Sequence, residues 1–185
     1  MTTDLYERIV SRRGTLASIG SKIPGYRGYQ EAQVRREADR LIRDYVARQF
    51  QQQLDRLLDI ENTLLERGGL EWMSNTRNLK TQMTTFIERI QTAARGYSGL
   101  FTNIKIDSEE LEKLYAFDEA MLRYEEQFVA AFDRLQQAAS ANEGIGDALD
   151  ALRALVREAD QAFALRKDVI LGLSDEIGSV PGPGF

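Results

Sequence analysis

The sequence predicts an all-α fold, an elongated antiparallel bundle of four long helices with an N-terminal helical arm, and three observations carry that expectation. Apolar side chains recur at three- and four-residue steps over nearly the whole of the 185 residues. Glycines punctuate the periodic segments and leave helix-length stretches between them. Only residues 100 to 106 alternate as a strand would, and a lone strand has no neighbour to pair with.

The organisation read from these signals is a basic N-terminal helical arm and turn over residues 1 to 28, a helical bundle over 29 to 173, and a flexible Pro/Gly tail over 174 to 185. In the arm, Thr2 or Thr3 caps a helix carrying Leu5, Ile9 and Val10, and Leu16, Ile19 and Ile23 continue its apolar side past Gly14. The stretch Ile23-Pro24-Gly25-Tyr26-Arg27-Gly28-Tyr29 then ends it, because Pro fixes φ while Gly admits positive φ. Tyr26 and Tyr29 are expected to pack against an end of the long helices. The second reading makes Tyr26, Arg27 and Tyr29 an exposed recognition loop.

The first long helix is expected over residues 29 to 67, with Val34, Ala38, Leu41, Tyr45, Phe50, Leu54, Leu57, Leu58, Leu64 and Leu65 facing inward. Two charge ladders run along its other faces. Glu31, Arg35, Asp39 and Arg43 form one, Arg36, Arg40, Asp44 and Arg48 the other, and both read as solvated. Gly68 and Gly69 supply the stop. A second stripe, Met73, Leu79, Met83, Phe86, Ile87, Ile90, Ala94 and Tyr97, fills residues 70 to 97. Leu100 to Ile106 reads as an extended connector, with Phe101 a candidate partner contact if that edge pairs with another chain.

Ser108, followed by Glu109, Glu110 and Glu112, marks the start of the next helix, since a small hydroxyl and early acids suit the positive end of the helix dipole. Leu111, Leu114, Tyr115, Met121, Leu122, Phe128, Val129, Phe132, Leu135 and Ala139 carry its stripe to about Ala141. Gly144 and Gly146 turn the chain into a last helix from Ile145 to Leu173. Arg36-Glu-Ala-Asp39 and Arg157-Glu-Ala-Asp160 are identical strings, but their flanks do not extend the match into a repeat.

Composition narrows function. There is no histidine and no cysteine, so triads, thiolate nucleophiles, zinc sites and Glu-x-x-His di-iron sites lack an essential part. A net charge of −5 argues against nucleic acid as a partner. Residues 1 to 28 hold five bases against two acids, +3, which leaves −8 for the remainder. No phosphate-binding glycine loop is present, and Glu109-x-x-Glu112 has no later Glu-x-x-Asp to complete a magnesium pattern. Asp118 and Glu125 lie two turns apart beside an apolar stripe, where pairing with arginines of a neighbouring helix is expected over a carboxylate-only magnesium or manganese site of a hydrolase.

The expectation is therefore a non-enzymatic interaction or scaffold protein with no cofactor and no catalytic residue. It is read as cytoplasmic, in the absence of a leader or an apolar run of membrane length, and as a homo-oligomer, since long stripes leave apolar surface to cover. The alternative is a peripheral membrane protein that lays Leu5, Ile9, Val10, Leu16, Ile19 and Ile23 on an anionic lipid surface beside its basic residues.

Overall fold

The computed structural model describes residues 2 to 31, 34 to 93 and 108 to 178. Among them are α1 (Thr2–Val10), α2 (Leu16–Lys22), α3 (Arg35–Glu66), α4 (Met73–Thr92), α5 (Ser108–Ala141) and α6 (Ile145–Gly178), with a 3-10 turn at Leu70–Trp72 and no strand. The all-α fold and its four long helices are as the periodicity predicts. The expected extended connector, with Phe101, Ala94 and Tyr97, lies outside the described residues.

Two element boundaries differ from expectation. The first long helix begins at Arg35, well after residue 29, because the turn through Gly25 and Gly28 keeps the chain non-helical up to Glu31. The last helix continues to Gly178, five residues beyond Leu173, since Ser174 to Ile177 contains no breaker before Gly178 and the first proline is Pro181.

The C-terminal ends of α3 and α5 are closed by backbone hydrogen bonds. After α3 the Gly69 N–H donates to the Leu64 carbonyl at 2.8 Å and the Gly68 N–H to that of Leu65 at 3.1 Å, with Gly68 at φ +81°. This nested pair satisfies two orphan carbonyls and needs a left-handed residue, which glycine adopts without a Cβ clash. After α5 the same arrangement is built on Asn142 at φ 56°, with the Glu143 N–H donating to Ala138 at 3.1 Å. Asparagine is the usual substitute there. Gly146 plays a different part from the turn assigned to it: it lies inside α6, where the ring of Trp72 occupies the space beside it, 3.2 Å from where a Cβ would stand.

The chain divides into two compact units. The first takes the described residues of Met1–Arg43, Thr92–Met121 and Gln161–Phe185, and the second takes Asp44–Gln91 and Leu122–Asp160. The core of the second unit is aromatic: the Phe50 ring lies 5.2 Å from that of Phe86 and 4.8 Å from that of Phe128, joining α3, α4 and α5. Leu149, Leu152 and Val156 of α6 are buried with them. Ion pairs tie the rim, Arg56 to Asp133 at 2.6 Å and Arg89 to Asp160 at 2.7 Å.

In the first unit, α1 and α2 pack on the N-terminal half of α5. Tyr6 meets Phe117 at 5.8 Å between ring centroids, and the Ser18 hydroxyl donates to Glu119. The apolar side of the arm does not run on through Gly14 as one helix. Thr15 caps α2 by accepting from the Ser18 N–H at 3.1 Å, and Gly14 lies against the backbone of α5. A Cβ on Gly14 would stand 2.0 Å from the Tyr115 carbonyl oxygen, whereas one on Gly20, inside α2, meets nothing nearer than 3.8 Å.

These two glycines generate opposite expectations. Gly14→Ala forces the linker off α5 and should lower stability by about 1–3 kcal/mol. Gly20→Ala gains helix propensity and should raise it by about 0.5–1 kcal/mol. Urea midpoints of the two variants check both signs; a neutral Gly14→Ala would contradict the close approach.

Candidate functional site

Two features stand out, a buried network of charged and phenolic groups in the first unit and an exposed apolar ridge in the second. The network centres on Arg166 of α6, which is 1% exposed. Its Nε donates to Asp118 Oδ1 at 2.7 Å, its Nη1 to Asp39 Oδ1 at 2.9 Å and its Nη2 to the Tyr29 hydroxyl at 2.9 Å. Asp118 Oδ2 accepts from both phenols, Tyr29 at 2.7 Å and Tyr26 at 2.9 Å. Asp39 Oδ2 accepts from Arg43 Nε at 2.8 Å, and Arg35 Nε donates to the Tyr29 carbonyl at 2.8 Å.

Local sequence explains how these groups meet. Arg166 falls on the inward stripe of α6 between Phe163 and Ile170, at helical spacing, and Asp118 falls likewise between Leu114 and Met121 of α5. Asp39 stands beside Ala38 and Ile42 on the buried face of α3. Each lone charge there would be costly, so the two carboxylates and the guanidiniums of Arg43 and Arg166 offset one another. The Gly28 turn, at φ +75°, brings Tyr29 under Tyr115, whose hydroxyl accepts from the Tyr29 N–H at 3.2 Å.

The phenols are held neutral. Burial is the main cause that pushes the Tyr29 hydroxyl well above its ordinary range, followed by the negative charge of Asp118, with Arg166 opposing. Tyr26 is raised for the same first reason, then by Tyr29 and Asp118. Burial also raises Tyr115 and lowers Arg35.

Several expectations are corrected here. Arg35, Asp39 and Arg43, read as a solvated ladder, are buried, while Arg36, Arg40, Asp44 and Arg48 are exposed as expected. Tyr26 and Tyr29 are packed inside against the long helices, as the first reading of that turn expects, and of the second reading's recognition loop Arg27 is at the surface, with Glu31 at 3.6 Å. Of the residues offered to lipid, Leu5, Ile9, Ile19 and Ile23 are buried in the first unit, and Val10 and Leu16 are half-buried. Four of these six apolar side chains are therefore engaged in the core of the first unit. Asp118 pairs with an arginine as the sequence suggests, and Glu125 is half-buried in the second unit. Among the described residues no group of three or more acids is placed to hold a metal, and no helix is long and apolar enough to cross a membrane.

The second feature was not legible as such. Leu58 and Leu65, read as inward, are 49% and 45% exposed, and Leu70 is 73% exposed. Seven residues separate Leu58 from Leu65, so they share one face about 10 Å apart along α3. Asn62 stands between them and Gln51 and Asp55 precede them on the same exposed face, flanked by exposed Asp59 and Glu66. Towards the start of α3, a polar groove of about 600 Å³ that includes Asp44, Arg48, Asp55 and Gln91 continues this surface. No family model, curated protein or solved structure matches the chain.

The tyrosines carry a pH prediction. With folded pKa values raised above an unfolded value of about 10, their contribution is complete below pH ~10 and is lost as pH rises beyond it, by up to about 1.4 kcal/mol per group per pH unit. The variant Tyr26→Phe with Tyr29→Phe should start less stable at neutral pH and decline less steeply between about pH 10 and about pH 11. Urea midpoints across that window measure it, and equal slopes would remove the neutral-phenol account.

Proposed function

We propose that the protein is a non-enzymatic helical-bundle interaction protein that acts by binding another protein through an exposed helix face of its second unit. The observation that carries this reading is the ridge of Leu58 and Leu65, with Leu70 beyond the helix stop, left in solvent by a chain that buries its other large aliphatic side chains wholly or in part among the described residues. Scattered apolar residues are ordinary on surfaces, but two leucines in register on one face, with a third just past the helix end and Asp55, Asp59, Asn62 and Glu66 around them, have the apolar centre and polar surround that an interface needs.

The internal charges support the same reading. Asp39, Asp118, Arg43 and Arg166 answer one another, and Tyr26 and Tyr29 are held neutral, so the network's polar groups are engaged in holding α3, α5, α6 and the N-terminal turn together. A group that acts on a substrate must have reach to it.

A photo-crosslinking residue placed at Leu65 in the full chain in its native cells should give a discrete adduct with one partner. The same residue at exposed Gln137 of α5 should not. Identical adduct patterns from both positions would contradict the proposal.

A further inference from the structure

The charge around the leucine ridge specifies more than an apolar contact. Between Asp55 and Glu71 the exposed charged side chains are Asp55, Asp59, Glu66 and Glu71 against Arg67, with Glu61 half-buried on the other flank of Leu58 and Leu65. Arg56, also half-buried, is occupied with Asp133 at 2.6 Å. The last turn of α3 contains no basic residue, so the negative end of its dipole adds to this field.

We infer that the ridge Leu58–Leu65 docks a basic amphipathic helix, whose apolar side chains meet the two leucines while its flanking lysines or arginines face Asp55, Asp59 and Glu66. The inference rests on the interaction reading above and adds the chemistry of the partner. Complementary charge is what decides between occupants. A second copy laid ridge to ridge, in either direction, brings these carboxylates against their own kind, and an anionic lipid surface meets the same repulsion. A cationic helix alone offers both an apolar seam and the opposite sign, the pairing that helix-in-groove recognition uses.

The probe is a fluorescent amphipathic Leu/Lys peptide, compared with its counterpart carrying Glu in place of every Lys, titrated with the full-length chain and read by anisotropy. The Leu/Lys peptide should bind, its Kd should rise as salt is added, and the Glu peptide should not bind. Leu58→Ser with Leu65→Ser should weaken binding roughly tenfold or more, as should Asp55→Lys with Asp59→Lys. Both pairs lie at the surface, so far-ultraviolet circular dichroism and thermal midpoints should match the wild type. Binding indifferent to the leucine pair, equal binding of the Glu peptide, self-association abolished by Leu58→Ser with Leu65→Ser, or leucine-dependent flotation with anionic vesicles would each overturn the inference. A discrete crosslinked partner at Leu65 whose contacting segment is acidic would sink the charge assignment and leave the interaction reading standing. Absence of any such partner would sink both.

Discussion

The side chain of Arg166 cannot lie where it does unless several distant segments of the chain arrive together. A guanidinium withdrawn from water needs opposite charge and hydrogen-bond acceptors, and Asp118 on α5, Asp39 on α3 and the hydroxyl of Tyr29 in the turn after α2 each accept from it. The hydrogen-bond geometry makes the four segments of the first unit interdependent. An apolar contact tolerates a sliding neighbour, whereas a fork of N–H donors at 2.7 to 2.9 Å from named oxygens does not. Register, more than raw stability, is what such a network supplies, since a well-packed hydrocarbon replacement of the same volume is often no less stable.

The second unit works on the opposite principle. Phe50, Phe86 and Phe128 interlock at its centre, aliphatic side chains of α6 complete the packing, and charge is confined to the rim. Rim pairs such as Arg89 with Asp160 are partly exposed and each contributes little, about 0–1 kcal/mol. Here specificity comes from shape. The consequence is a unit that carries its own core and still leaves one edge of α3 uncovered, which is why Leu58 and Leu65 reach solvent while Leu57 and Leu64, one position earlier in each case, are fully inside.

Much of this was legible in the chain. Three- and four-residue steps located the long helices, paired glycines located the α3 stop, and Asp118 on an apolar stripe announced a buried carboxylate awaiting an arginine. Other parts were not legible, for physical reasons. The spacing of Arg35, Asp39 and Arg43 is that of a solvated ladder, and a four-residue repeat of alternating charge reads identically whether it faces water or a complementary charge on another helix. Arg166 was the available clue, a cation at a position where Phe163 and Ile170 demand an apolar neighbour. Leu58 and Leu65 were misassigned because the apolar positions of α3 span more than half a turn, and periodicity cannot say which edge of so wide a stripe its neighbours cover. The identical Arg-Glu-Ala-Asp strings show the same limit: Ala38 and Ala159 are both buried, but Asp39 is inside the network while Asp160 meets Arg89 at the rim.

Hydrogen exchange on Arg166→Met, followed amide by amide against the wild type, addresses the central role of that guanidinium most directly. Removal of the charge leaves Asp39 and Asp118 short of donors, so protection should fall in α1, α2 and the Tyr29 turn together with the adjoining stretches of α3 and α5, while amides of Leu79 to Ile90 keep most of theirs. Unchanged protection in α1, α2 and the turn, or an even loss spread over every helix, would show that the first unit does not depend on the network as described.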